Sequence, residues 1–399
     1  AEGLDAAGAG ALLIVGHGGG EPDLARFLGR SHLGDAFVLL PREGAPRLGY
    51  FTPMERDEAA ATGLALLSPE ELDVARWTRD GGGAGALLAG VVGQAMLRTG
   101  VAPGPVAIAG SWPAGALVEA AARLAADGYP LVSGTGIALR LRKRKSAVEI
   151  EEILRVASAT CEAFRALARV LAGAEARDGE LWYEGDRLRV ARLKREVASI
   201  FARHELTQPR ENILSPGEEG GVPHTTGTPE RVLKPGESLI ADLFPKGRLF
   251  ADCTRTFCVG EPPEKLRAAH AAVVEALRAA HDETRPGARG WDLQKTTCAI
   301  LGGHGFATPI SDPGTLVGYV HNLGHGVGYE LHELPSFKES ASAAEGLLEA
   351  GDVVTLEPGL YDPSPSGYGV RLEDLVVIGE DGNENLTALP YELDPRGWG

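Results

Sequence analysis

Short apolar runs alternate with alanine-rich stretches through the first 140 or so residues. ALLIV at 11–15, DAFVLLP at 35–41 and PVAIAG at 105–110 read as strands, and GALLAGVVGQAML and ALVEAAARLAADG read as helices. The second helix stops at Gly128, the residue type that closes a helix in left-handed conformation. This is an α/β pattern. The stretch ALLIVGHGGG lacks both the GxGxxG spacing and the GK[ST] ending of phosphate loops, so it predicts a turn between strand and helix. His17 is then a surface loop residue.

Residues 146–173, SAVEIEEILRVASATCEAFRALARVLAG, carry the periodicity of a long amphipathic helix. Ser146 is its N-cap, and Glu149, three residues on, completes a capping box. A domain boundary just before this helix gives an N-terminal domain at 1–142 and a second at 143–399. The basic run RLRKRK at 140–145 reads as a solvated linker running into the helix start. From about residue 197 the texture changes to strands, turns and two further helices, with Pro and Gly at the joints.

Composition narrows the class. A chain of 399 residues exceeds one ordinary core, and 44% hydrophobic with 24% charged residues is a globular balance. No run approaches the roughly 20 apolar residues of a membrane span, and the most apolar window, Gly83 to Leu97, is short and glycine-rich, as in a packed helix. The net charge of −16 argues against nucleic acid, whose phosphates demand a positive footprint. Cys161, Cys253, Cys258 and Cys298 form no CxxC pair or framework, and the N-terminal stretch lacks the basic start and apolar core of a signal peptide. A cytoplasmic location with reduced thiols is the expectation.

Three segments carry candidate chemistry. In SLIADLFPKGRLFADCTRTFCVG (238–260), two β-rich runs flank Pro245-Lys246-Gly247, and folding about Gly247 sets Asp242 opposite Asp252. Facing carboxylates repel, so the pair implies a shared proton or cation, unless one Asp faces solvent and the other caps a turn. In HNLGHGVGYELHELP (321–335), three histidines fall within twelve residues of a chain that holds ten. His325, between glycines that let the backbone wrap closely around an ion, is the ligand candidate. His321 and His332 are candidates for substrate or transition-state contacts. In DVVTLEPGLYDPSPSGYGVRLEDLVVIG (352–379), Glu357 and Glu373 each sit inside an apolar strand. Such glutamates need neutralising, by an arginine such as Arg371 or Arg255 or by a cation. Together, four carboxylates and one imidazole carry a formal charge of −4, which two divalent cations with a bridging hydroxide would suit. Oxygen-rich sets with one His fit manganese or cobalt, with zinc admissible.

These segments resemble the creatinase/prolidase/methionine-aminopeptidase group of metallopeptidases, the M24 family with its pita-bread fold. ADCTRTFCVG is similar to its DxTRTF strand, GHGVGYELHELP to its GHGxGxxxHExP loop, and LEPGLY and GVRLEDLVVI to its two glutamate strands. KPGESLIADLF fits the strand of the first Asp, although Leu243 and Phe244 replace small residues there and Glu237 replaces an Asp. The resemblance runs from about Leu141 to Leu393. It implies an α/β creatinase-like N-terminal domain ahead of an α+β pita-bread catalytic domain. It also implies two divalent metal ions held by Asp242, Asp252, His325, Glu357 and Glu373, and a substrate-contacting His224. Tyr361 and Arg371 fall near the metal site, and a homodimer is suggested.

Because all five ligands are present and an N-terminal domain accompanies them, the resemblance points to the proline-specific branch. The expected reaction is hydrolysis of Xaa-Pro dipeptides by a metal-bridged hydroxide. Glu357 would shuttle the proton that the imide nitrogen needs on leaving, and His332 and His224 would bind the oxyanion. Chain length and the compact C-terminus favour the dipeptidase, with Arg371 as the cation for a free proline carboxylate. The alternative is aminopeptidase P acting on longer Xaa-Pro-Xaa peptides. A creatinase-type or non-catalytic pita-bread protein is the remaining class.

Overall fold

The structure is a computed structural model that describes residues 2–17 and 20–398, so Gly18 and Gly19 of the glycine-rich loop lie outside the described residues. The chain divides into two compact units, Ala1–Arg142 and Lys143–Gly399. Among the described residues no helix is long and apolar enough to cross a membrane.

The first unit is built on a mixed six-stranded sheet: Ala11–Gly16 (β1), Ala36–Pro41 (β2), Arg47–Tyr50 (β3), Ala65–Leu67 (β4), Val106–Gly110 (β5) and Leu131–Ser133 (β6). Their order is β4-β3-β2-β1-β5-β6, and only β2 runs against the rest. Both faces are covered, which is why β1 reads as an unbroken apolar run. Leu13 and Val15 pack with the helix Gly83–Thr99, while Leu12 and Ile14 pack on the other side with Leu24 and Ala138. The helix Ala114–Ala126 ends as its sequence indicates: Gly128 has φ +90°, and the next amide, of Tyr129, bonds back to the Leu124 carbonyl at 2.8 Å. His17 is exposed and pairs with Asp35 at 2.8 Å.

The basic run departs from expectation. Arg142, Lys143 and Lys145 are buried, not solvated. Arg142 pairs with Asp23 at 3.1 Å, Lys143 with Glu349 and Asp352, and Lys145 with Glu333. Charge density alone does not separate a solvated run from one threaded between acids.

The second unit opens with the helix Ala147–Ala172, whose Ser146–Glu149 capping box is formed. A small meander follows: Glu175–Arg177 (β7), Glu180–Tyr183 (β8) and Asp186–Arg187 (β9). Ile213–Pro216 (β10), Ser238–Leu243 (β11) and Cys253–Cys258 (β12) form an antiparallel sheet. A five-stranded sheet takes His325–Gly326 (β13), Glu333–Ser336 (β14), Val353–Leu356 (β15), and, beyond the two-stranded ribbon Gly359–Asp362 (β16) and Tyr368–Arg371 (β17), Asp374–Ile378 (β18) and Asn383–Asn385 (β19). The helices Glu264–Glu283 and Gly290–Gly303 bury Ala272, Val273, Leu293 and Leu301 against Val354, Leu356, Val370 and Val376 from these strands. The four cysteines are free and buried.

Gly110, with φ +92°, has no room for a Cβ, which would lie 2.0 Å from the Val15 carbonyl oxygen. Gly110→Ala is therefore expected to destabilise the first unit by about 1–3 kcal/mol. Urea unfolding followed by the fluorescence of Trp77 and Trp112 measures it.

Candidate metal centre

Strand register explains why the candidate acids meet. Asp242 on β11 lies opposite Thr254 on β12, not opposite Asp252 as folding about Gly247 predicts. The connection is wider than a tight turn, and the error is two residues. Two is the period of a strand, so Asp252 still falls on the face that Asp242 and Thr254 share. A bridge links Thr254 to Glu373, whose N–H donates to the Thr254 carbonyl at 3.0 Å.

The two glutamates are not inside strands. Glu357 follows β15 and Glu373 precedes β18, at the bend where the five-stranded sheet gives way to the β16–β17 ribbon. The pairings Leu356↔Asp374 and Gly359↔Arg371 keep one register across that bend, which sets Glu357 opposite Glu373. One transverse row thus reads Asp242, Thr254, Glu373, Glu357 across neighbouring strands. His325 completes the set from β13, where its N–H donates to the Thr355 hydroxyl at 3.1 Å.

The glycines beside His325 serve strand packing, which corrects their expected role of wrapping an ion. A Cβ on Gly324 would meet the Thr355 carbonyl oxygen at 2.0 Å, and one on Gly326 the Leu334 carbonyl oxygen at 2.0 Å. Both positions need hydrogen where backbones nearly touch.

The site is buried and short of donors. Asp242 and Asp252 each have one buried carboxylate oxygen with no hydrogen-bond partner. Ligand atoms of Asp252, His325 and Glu373 all lie within 4.8 Å of one another. The Nδ1–H of His325 donates to the Gly326 carbonyl at 3.1 Å, so Nε2 presents its lone pair, 3.4 Å from Glu357 and 3.7 Å from Asp252. Burial, then the neighbouring His332 ring, holds His325 down to about 3, so the imidazole is neutral. A neutral nitrogen lone pair facing carboxylate oxygens repels them unless a proton or a metal ion lies between. Burial, then Glu373, then Asp242, pushes Asp252 well above the usual carboxylate range. Burial followed by Glu373 does the same to Glu357, and burial followed by Asp242 raises Glu373 to about 8. The donor set fits divalent metal ions on these observations.

Arg371 and Arg255 do not neutralise the two glutamates by ion pairs. Arg371 is buried and directs Nη2 to Asp242 at 2.7 Å, Nη1 to the Tyr361 hydroxyl at 2.8 Å and Nε to the Thr254 hydroxyl at 3.2 Å. Tyr361 in turn donates to Nε2 of His321 at 2.8 Å, because the Nδ1–H of His321 is committed to the Asn322 carbonyl. Burial, then Arg371, holds His321 down to about 3. The expected substrate contacts His321, Tyr361 and Arg371 thus form one internal chain ending on Asp242. Arg255 pairs with Asp374 at 2.6 Å, both fully buried, and supports the Glu373 carbonyl from behind.

His332 meets His325 edge to face, with ring centroids 4.1 Å apart and planes at 63°. It and His224 are exposed, and the charge of His224 acts on both His321 and His332. Sequence reasoning missed Thr254, whose hydroxyl donates to Glu373 at 2.7 Å and accepts from Arg371. The alternation in CTRTFC, which puts Thr254 and Thr256 on the face of Asp252, was the available signal.

The sequence profile of metallopeptidase family M24 matches residues 151–380. The "Xaa-Pro dipeptidase" of Pyrococcus furiosus is 34% identical over 187 residues, which are 46% of this chain and 49% of that protein. The chain thus spans about half the length of that relative. The "Probable dipeptidase PepE" of Mycobacterium tuberculosis is 28% identical over 363 residues, covering 89% of this chain and 84% of that one. The crystal structure of the prolidase from Pyrococcus horikoshii superposes with a TM-score of 0.74 at 23% identity, covering 98% and 97% of the two chains. That likeness shows the fold class expected from the sequence, an α/β N-terminal part followed by a pita-bread part.

The three raised acids bind protons more tightly folded than unfolded. That contribution to stability is complete below the unfolded carboxylate range and is lost as pH rises through the folded value, about 8 for Glu373. The melting temperature of metal-stripped protein in chelator is expected to fall between about pH 6 and about pH 9, and added manganese to abolish the fall. Calorimetry at the two pH values checks both.

Proposed function

The chain belongs to the M24 metallopeptidase family, and from that premise we propose that it hydrolyses the Xaa-Pro bond of Xaa-Pro dipeptides. The observation that carries the reading is the row of acids with His325, in which one buried oxygen each of Asp242 and Asp252 has no donor and the imidazole nitrogen beside them is neutral. Residues 143–399 are read as the catalytic domain and 1–142 as the creatinase-like one. Asp242, Asp252, His325, Glu357 and Glu373 would hold two divalent ions, manganese or cobalt before zinc. Bound there, such ions supply Lewis acidity toward the scissile carbonyl and lower the pKa of a water. A homodimer and a cytoplasmic location belong to the same proposal.

The chain's own residues then divide the work. Glu357, part-exposed where its fellow acids are buried, takes the proton of the attacking water and delivers it to the imide nitrogen. That nitrogen carries no hydrogen before cleavage and must leave as an amine. His332 and His224, exposed on the same side as His325 and His321, donate to the developing oxyanion. Arg371, Tyr361 and His321 act as positioning residues, since their polar atoms are already spent on one another and on Asp242.

This last point bears on substrate length. A guanidinium committed to Asp242 and Tyr361 is not free to clamp a proline carboxylate, so in the dipeptidase reading another group must meet that carboxylate, and aminopeptidase P stays the alternative.

Asp252→Ala and Glu373→Ala are expected to lower bound metal and to reduce Xaa-Pro turnover by more than about a thousandfold. Normal turnover by either variant would sink the assignment. Arg371→Met is expected to lower kcat about equally, on the order of 10–100-fold, on Xaa-Pro and Xaa-Pro-Xaa peptides. A loss confined to Xaa-Pro would return Arg371 to the carboxylate. Assaying Xaa-Pro, Xaa-Pro-Xaa and a non-proline dipeptide with manganese, cobalt and zinc in turn decides between dipeptidase and aminopeptidase P.

A further inference from the structure

The basic run at the head of the long helix is a sequence feature that the proposed chemistry leaves without a role. Its last lysine is deeply placed: Lys145 and Glu333 meet at 2.5 Å with side chains only 1% exposed each. The ammonium also donates to the Lys143 carbonyl at 3.0 Å, and the Lys145 N–H donates to Gly351 at 2.8 Å. Glu333 directly follows His332.

Four residues on, the capping-box glutamate does two jobs. One oxygen of Glu149 accepts from the N–H and hydroxyl of Ser146, and the other accepts from the hydroxyl of Tyr329 at 2.7 Å. Arg248 donates to the same hydroxyl at 3.0 Å. The loop from His325 to Glu333 is therefore gripped at 329 and at 333 by residues 149 and 145 of one helix start. Gly328 directly precedes Tyr329, and a Cβ there would fall 2.2 Å from the Glu333 carboxylate and 2.8 Å from the Lys145 side chain. The third glycine of the loop is thus the space that the ion pair occupies.

We propose that Lys145 and Glu149 are positioning residues that hold the histidine loop, and through it His332, over the reacting centre. The inference rests on the peptidase reading for its consequence in turnover, but not for the clamp itself. A buried ion pair resists displacement because either charge left alone has neither water nor partner. Fixing both flanks of His332 removes the freedom that would otherwise be lost when it engages an oxyanion.

The test compares wild type with Lys145→Met/Glu333→Gln, which removes both charges together, and with Tyr329→Phe, which removes only the tethering hydroxyl. Hydrogen exchange of amides 326–333 in the metal-free full chain is expected to quicken about tenfold or more in the double variant, with the helices Glu264–Glu283 and Gly290–Gly303 unchanged. With manganese bound at wild-type stoichiometry, kcat on an Xaa-Pro dipeptide is expected to fall about tenfold with KM within about twofold. Tyr329→Phe should move both in the same direction by less, and Lys145→Arg should recover part of kcat. Exchange and kcat within about twofold of wild type in the double variant, or a kcat loss that tracks lost metal or lost folded fraction, would overturn the proposal. If the double variant does not fold, Tyr329→Phe carries the same decision. If wild type cleaves no Xaa-Pro bond, the proposed function fails and the exchange result alone decides the clamp.

Discussion

Mutual repulsion among carboxylates that share one buried face is the constraint on which the second unit turns. Asp242, Asp252, Glu357 and Glu373 converge there, and removing them from water raises the cost of every charge they carry. One guanidinium, that of Arg371, reaches Asp242. The surrounding protein supplies little else of positive sign, since burial keeps the nearby imidazoles of His321 and His325 neutral. Protons or metal ions must make up the balance. A fold that invests so much strand structure in bringing acids together is organised around a cation.

The contrast with the acid next door is instructive. Asp374 adjoins Glu373 in sequence and is equally buried, yet burial is outweighed by Arg255, and the carboxyl is held below its ordinary value. His281 and Tyr391 donate to its other oxygen. Successive residues of extended chain point to opposite faces, so Asp374 belongs to a closed structural network and Glu373 to the buried row of acids. Arg255 serves both, neutralising Asp374 while supporting the Glu373 backbone carbonyl. Alternation at Glu373–Asp374 thus separates structural charge from chemical charge within two residues.

Much of this was legible in the sequence where local rules govern. The capping box at Ser146, the apolar runs of β1, β2 and β5, and the Gly128 stop all follow from short-range chemistry and appear in the structure. What local rules do not carry is register and partner choice. The hairpin joining β11 and β12 closes two residues wider than its turn residues suggest, because residues 244–252 make their own bridges, Lys246 with Phe250 and Thr207 with Lys246. The glutamates were placed within strands because the apolar pattern continues through them, although pairing changes from one sheet to another at those positions. The RLRKRK run was read as solvated because its acidic partners, Glu333, Glu349 and Asp352, lie about two hundred residues on.

The same distinction bears on where substrate discrimination resides. Residues chosen from the sequence for substrate contact fall into two groups once hydrogen bonds are assigned. His321, Tyr361 and Arg371 are saturated by one another and by Asp242, so they transmit order to the acids and have little left to offer a ligand. His224 and His332 are exposed and carry no comparable internal bonds among the described residues. In the proposed peptidase reading, exposed side chains around the buried acids are then the groups left to meet a peptide. In that reading one loop carries both the exposed His332 and the buried-site His325, and it gains from being held from outside the sheet. The helix start at Lys145–Glu149 is positioned to do so. The glycines that line this loop then have a common cause: each marks a place where backbone or ion pair comes too near for a side chain.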